Sequence, residues 1–318
     1  MSTTTFAQVQ DYATDPNIDH GTKAFLKLLN AGGPPLESLS KEDARNVLIG
    51  AQAAVNVDVS GIEVTEKSIT QDGYKVHLNI VRPENVKTKL PAFIFVHGGG
   101  WVLGDFPTHK RLVRDLVVTS QCAAVFVNYT PSPEARYPQA INEIYASTKW
   151  VAENGTQINV DGKKLAIVGN SVGGNMAAAT ALMAKEKGGP ALKLQILLWP
   201  VTDATFSQDS YETYGVDRFL TTSVMKWMWD QYTTDAKERK SHHASPLQAT
   251  VGELKGLPPA LIQVAENDIL RDEGIAYAKK LEKAGNQVQI MCIPHQMHCL
   301  IGLPPNAKEV KELHSIMG

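Results

Sequence analysis

The sequence predicts an α/β fold built on a mostly parallel, eight-stranded sheet, and three observations carry that expectation. Six short apolar runs, at 92–96, 123–128, 165–168, 194–198, 260–264 and 288–293, alternate with helix-patterned segments. Continuous apolar runs of this length fit strands covered on both faces, and helices between them return the chain for parallel pairing. Segments 62–70 and 74–81 flank Asp72-Gly73, a hairpin signal that adds two strands and an antiparallel edge. The chain has 318 residues, 43% apolar and 20% charged, enough for one large α/β domain or two ordinary ones with an unstapled core.

Each element follows in chain order. Segments 22–29 and 41–55 have helical apolar spacing and are separated by Gly32-Gly33-Pro34-Pro35. The hairpin and the six runs come next. Only 200–259 breaks the alternation: it has no clear strand but carries Phe206, Tyr211, Tyr214, Phe219, Trp227, Trp229 and Tyr232. A long insertion after a strand of such a sheet lies at its carboxyl edge, where ligands bind. The expectation is a single domain over 1–318 with a helical cap formed by about 1–60 and 203–250. The absence of a 20- to 50-residue repeat excludes a solenoid or propeller.

Charge and cysteine content remove other classes. Lys plus Arg is 31 and Asp plus Glu is 33, a net charge of −2, so no basic excess exists to neutralise phosphates and no nucleic-acid partner is expected. Cys122, Cys292 and Cys299 lack the number and spacing of a disulfide framework or a zinc site. Residues 1–20 hold no apolar run or basic cluster, and no stretch approaches the length of a membrane span. The expectation is a cytoplasmic protein with no membrane span, no metal and no cofactor.

The strongest chemical signal is Gly169-Asn170-Ser171-Val172-Gly173, preceded by the apolar run Leu165-Ala166-Ile167-Val168 and followed by the helical pattern Gly174-Asn175-Met176-Ala177. A strand-to-helix elbow strains the serine backbone and exposes its hydroxyl, while the helix N-terminus favours developing negative charge. Gly169 and Gly173 keep strand and helix close. The second signal, His97-Gly98-Gly99-Gly100-Trp101, follows the run 93–96. Its three glycines are read as freeing N–H groups for a ligand oxygen rather than as packing. With the amide of Val172 they make a candidate oxyanion hole: Gly98, Gly99, Gly100 and Val172. His97 is read as orienting that loop. No phosphate-binding glycine spacing is present.

A serine needs a base, and the base an orienting acid, which follow this elbow in the order acid, then histidine. Asp268, just past the run 260–264, is well placed; Glu266 and Asp272 are rivals near the same strand end, and Asp203 is read as structural. Pro294-His295-Gln296-Met297-His298 offers two candidate bases, with His298 farther past the strand end. His242 and His243 are expected to be exposed, and His314 to lie on a surface helix. Trp101, Phe206, Tyr211 and Trp227 are candidates for the substrate pocket.

These residues resemble the hormone-sensitive-lipase-like, or family IV, esterases of the α/β-hydrolase superfamily. HGGGWVLGD at 97–105, YTPSPEARYPQA at 129–140, GNSVGGNMA at 169–177, WPVTD at 199–203, SPL at 245–247, NDILRDEG at 267–274 and PHQMH at 294–298 match that family's motifs in order. The resemblance runs from about residue 70 to the end and implies the α/β-hydrolase fold with Ser171, Asp268 and His298 as catalytic triad. It points to Gly99 and Gly100 as the most direct oxyanion donors. It implies a serine carboxylesterase acting through an acyl-enzyme, as a monomer or homodimer with a small-molecule ester as partner, while the short, aromatic-rich cap points to short- to medium-chain acyl groups. Lactone, carbamate or amide cleavage by the same triad is the alternative. A non-catalytic receptor of the gibberellin-receptor kind, which has lost the histidine, is disfavoured by His298. Three positions depart from the pattern: Asn170 for the usual Asp, Val172 for Ala, and Cys299-Leu300 for Gly-Phe.

Overall fold

The computed structural model describes residues 11–53 and 56–298. The end of the helical pattern at Val55, together with Cys299 and His314, lies outside the described residues. The described strands are β1 (Ile62–Gln71), β2 (Tyr74–Pro83), β3 (Leu90–Val96), β4 (Ala123–Asn128), β5 (Val160–Asn170), β6 (Leu192–Leu198), β7 (Ala260–Asn267) and β8 (Val288–Met297). The helices are α1 (His20–Leu29), α2 (Lys41–Ala53), α3 (Phe106–Ser120), α4 (Gln139–Asn154), α5 (Val172–Glu186), α6 (Asp209–Thr213), α7 (Thr222–Tyr232), α8 (Ala236–Arg239), α9 (Val251–Leu254) and α10 (Arg271–Lys283).

The strands form one sheet in the order β1-β2-β4-β3-β5-β6-β7-β8. The β1–β2 hairpin joins β4 antiparallel at one edge, and the remaining pairs are parallel. From β3 the chain goes one way to β4, then returns to place β5 on the other side of β3. That reversal opens a crevice at the carboxyl ends of β3 and β5, the place where open α/β sheets bind ligands. Val96 pairs with Gly169 there, so the glycine loop and the serine elbow leave the sheet side by side.

Alternation along the strands divides the core into two layers. Phe93 and Phe95 face Leu112, Val113, Leu116 and Val117 of α3. Ala92, Ile94 and Val96 face the opposite layer, which contains α4, α5 and α10. Residues 172–184 of α5 are all buried. A helix apolar all round belongs in an interior, and its alanines let it lie close to the sheet.

The segment between β6 and β7 is helical, as its pattern predicted, and it packs against the N-terminal elements. Trp229 of α7 meets Trp101 at 4.7 Å and Tyr232 stacks on Trp101 at 4.3 Å, so these aromatics fasten α7 to the glycine loop. Arg218 pairs with Asp15 at 2.9 Å, both almost fully buried. Arg45 of α2 donates to Val102 O and forms a two-pronged pair with Glu134, holding that carboxyl at about 2, well below its usual range. Among the described residues, no helix is long and apolar enough to cross a membrane.

Removing one partner of a buried ion pair takes a hydrogen-bonded counter-ion from the other charge, a loss of up to about 3–5 kcal/mol. Asp15→Ala is therefore expected to lower the urea midpoint sharply, whereas Asp58→Ala, which removes a solvent-exposed carboxylate from the Arg114 pair, should shift it little. Equal midpoints for the two variants would contradict that ranking.

Candidate active site

Ser171 sits at the turn from β5 into α5 with φ 56° and ψ −123°, outside the relaxed regions for a side-chain-bearing residue. Three backbone bonds hold it there: Ser171 N donates to Leu198 O, while Val201 N and Asn175 N donate to Ser171 O. A Cβ on Gly173 would collide with Val96 O, and one on Gly169 would collide with the Gly173 backbone. The predicted strand–helix closeness is thus enforced atom on atom.

Asp268 directly follows β7, and its Oδ1 accepts from Leu270 N at 3.0 Å. His298 follows β8; its Nδ1 lies 2.7 Å from Asp268 Oδ2 and its Nε2 lies 3.0 Å from Ser171 Oγ. With Nδ1–H donating to the carboxylate, Nε2 of a neutral ring is left to accept the serine proton. Ser171, Asp268 and His298 are all at least nine-tenths buried.

The rivals go elsewhere. In the β7–β8 ladder Ala265 pairs with Ile293 but Asn267 pairs with Met297, so β8 bulges by two residues opposite Glu266. His295 lies in that bulge with φ 62°, exposed, its N–H donated to Glu266 Oε2. Pro294 interrupts the strand, a signal for the bulge that separates the two histidines. Asp272 pairs with Arg271 and caps Ser210 N. Asp203 accepts from Gln248 and Thr205.

The glycine loop differs from expectation in two ways. Its glycines are sterically required. A Cβ on Gly98 would meet Asn170 and Ser171, one on Gly99 would strike the Leu103 carbonyl, and one on Gly100 would strike Met228 of α7. Gly99 and Gly100 also take φ 109° and 64°. The N–H of Gly98 is not free, being donated to Asn170 Oδ1 at 3.0 Å, so Gly98 secures the loop to the elbow rather than facing a ligand. The N–H groups of Gly99, Gly100 and Val172 donate to no acceptor among the described residues. His97 stacks on Tyr129 at 4.2 Å, Tyr129 Oη donates to its carbonyl, and its Nδ1 lies 2.8 Å from Gly98 O, an orienting arrangement.

Of the pocket candidates, none has a ring against His298. Trp101 is fully buried beneath α7. Tyr211 is buried and donates to Glu273, whose carboxyl burial pushes up to about 8 against three hydrogen-bond donors. Phe206 stands edge-on to Tyr211, and Trp227 packs on the main core. The rings beside His298 are Phe219, stacked at 6.4 Å, and Trp199, edge-on at 6.4 Å. Phe219 lay in the aromatic interval, but no local pattern set it apart from its neighbours.

His109 of α3 completes the surroundings. Asn170 Nδ2 approaches its Nε2 at 3.5 Å, and its Nδ1 lies 3.2 Å from Asp105 O. Burial pushes the histidines down, to about 3 for His97 and about 4 for His109.

Residues 93–302 match a family model described as alpha/beta hydrolase fold. The chain is 31% identical to an ethyl acetate hydrolase of Pseudomonas putida, over 91% of this chain and 93% of that protein. It is 33% identical to a carboxylesterase of Mycobacterium tuberculosis, over 74% of this chain and 75% of the other. The crystal structure of a thermostable esterase from Pseudomonas putida superposes with a TM-score of 0.92 at 57% identity, covering 95% of each chain.

The lowered values of His97 and His109 set a direction for pH. An unfolded histidine takes its proton near pH 6.5, and these two resist to about pH 3 and 4, so the unfolded state binds more protons below pH 6.5. Their neutral burial therefore favours the fold above pH 6.5, and that advantage falls away as pH drops toward 4. Melting temperatures from pH 8 to 5 should decline, and His109→Phe should flatten the decline relative to the unaltered protein.

Proposed function

The chain belongs to the alpha/beta hydrolase fold family, among the hormone-sensitive-lipase-like (family IV) esterases, and is a carboxylic ester hydrolase; from that premise we propose how its own residues carry the reaction. The observation that carries this reading is the continuous path from Asp268 through His298 to Ser171, at 2.7 and 3.0 Å.

Ser171 Oγ attacks the ester carbonyl as His298 Nε2 takes its proton. Asp268 fixes the ring tautomer and stabilises the imidazolium. The amides of Gly99, Gly100 and Val172 receive the tetrahedral oxyanion, each such donor contributing about 2.7–4 kcal/mol to lowering the barrier. His298 returns the proton to the departing alcohol, and water then releases the acyl group by the same steps in reverse roles.

The substrate is a short- to medium-chain acyl ester. The support is steric: Ser171 is only 7% exposed, with Phe219 and Trp199 beside its base and Met228 against Gly100. The N-terminal segment and residues 203–250 act as the cap of a single domain. Balanced charge and three cysteines without disulfide-framework or zinc spacing suit a neutral ester in an aqueous, reducing setting such as the cytoplasm.

Ser171→Ala should lower kcat for p-nitrophenyl acetate by roughly 10⁴-fold or more while leaving the melting curve in place. Turnover retained by that variant would remove Ser171 from the mechanism. In a series from acetyl to palmitoyl esters, kcat/KM should peak early and fall beyond about twelve carbons. A steady rise to palmitoyl, or faster cleavage of a matched amide or lactone, would overturn the substrate assignment.

A further inference from the structure

Three metal-ligating side chains meet at the far end of the helix that begins beside Ser171. Glu186 is the last residue of α5. The turn after α8 brings two adjacent histidines to it: His242 Nε2 lies 2.8 Å from Oε1 and His243 Nε2 lies 2.8 Å from Oε2. The two rings stand edge to face at 4.4 Å, and one donor atom from each residue falls within 4.8 Å of the others. Both histidines are half-buried rather than exposed as their sequence context suggested. Ester hydrolysis makes no use of them.

We infer that Glu186, His242 and His243 bind a divalent transition-metal ion of the zinc class. Two imidazoles and one carboxylate suit zinc, nickel or copper, whereas magnesium and calcium take oxygen ligands. Glu253 Oε1 stands 3.6 Å from His242 Nδ1, on the side of the ring away from Glu186. A neutral His242 donating from Nε2 to Glu186 turns its Nδ1 lone pair toward that second carboxylate. With a metal ion on Nε2 the ring proton sits on Nδ1 and faces Glu253, the outer-shell partner that metal-bound histidines use. The ring exchanges one tautomer for the other and loses no proton.

One further feature agrees. The C-terminal end of α5 carries partial negative charge, which favours a cation. Each of the three side chains is about a quarter to a third exposed, leaving room for entry and for water as the remaining ligand. The ion would pin the 203–250 segment to α5, where Asn175 Nδ2 already holds Ala244 O at 2.8 Å. The 15 residues of α5 separate it from Ser171 by roughly 22 Å, so it acts on stability and not on turnover.

The test uses the whole chain, stripped with a chelator and titrated with Zn²⁺ by calorimetry and by melting. One site per chain is expected, with a saturating rise in melting temperature of about 4 °C or more and none with Mg²⁺. His243→Gln and Glu186→Gln keep hydrogen-bonding capacity and should abolish the rise, and Glu253→Gln should weaken binding about tenfold. No Zn²⁺ response, or a response that survives His243→Gln and Glu186→Gln, overturns the site. A metal-free stabilisation that appears on acidification and vanishes in the same variants, with no Zn²⁺ response, would identify a proton-held clasp and overturn it equally.

Discussion

One close approach governs this molecule: helix α5 begins within backbone contact of the end of β3. Gly173 lies under the Val96 carbonyl, Gly169 under Gly173, and Gly98 against Asn170 and Ser171, with room for no side chain at any of them. The approach forces Ser171 to a positive φ, a strain of about 1–3 kcal/mol. The three backbone hydrogen bonds that converge on Ser171, at about 1 kcal/mol each, are sufficient to offset it. The sheet order supplies the setting, because β3 and β5 are neighbours that the chain leaves in opposite directions. The donor loop and the proposed nucleophile are therefore adjacent without any long connection holding them together.

The same approach creates a buried polar chain whose members must stay neutral. Gly98 N–H donates to Asn170 Oδ1, and Asn170 Nδ2 faces His109 Nε2. This gives physical content to the asparagine that stands where the family usually has aspartate. An ionised aspartate would accept from Gly98 equally well but would offer no proton to His109. The ring would then have to carry its proton on Nε2, with Nδ1 accepting from Thr108 Oγ1 instead of donating to Asp105 O, or become charged, which its burial opposes. An amide with one donor and one acceptor face fits both neighbours as they stand.

Features encoded within a few residues were legible in the sequence. The Asp72-Gly73 hairpin, the six strand runs, the glycine loop and the serine elbow each depend on local backbone chemistry, and each lies where its pattern put it. The ambiguity between His295 and His298 was also local, since Pro294 in a strand demands a bulge and the bulge turns His295 outward. What the sequence could not show is set by packing across the chain. Trp101 follows the loop directly yet is buried under α7, because Trp229 and Tyr232, some 130 residues away, close over it. Gly98 resembled its neighbours until the Asn170 side chain was placed against it. His242 and His243 looked solvent-facing because Glu186 lies 56 residues earlier, at the end of a different element. The sheet order had no local signature.

The ring beside His298 and the acid of the proposed triad share one support. Asp15 pairs with Arg218, next to Phe219, whose ring stacks on His298. Two residues after Asp15, Asn17 O accepts from Asn267, the neighbour of Asp268. Phe25 of α1 also lies beside Phe219, with ring centroids 6.2 Å apart. A stretch of three residues thus cross-links the 203–250 segment to the end of β7, and lifting it would break a buried ion pair and a hydrogen bond together. The half-buried Phe219 ring is held differently, by packing against Phe25 and His298. Asp15, Asn17 and Arg218 thus fix the frame on which Asp268 stands in line with His298, and the Phe219 ring can change rotamer without disturbing that frame.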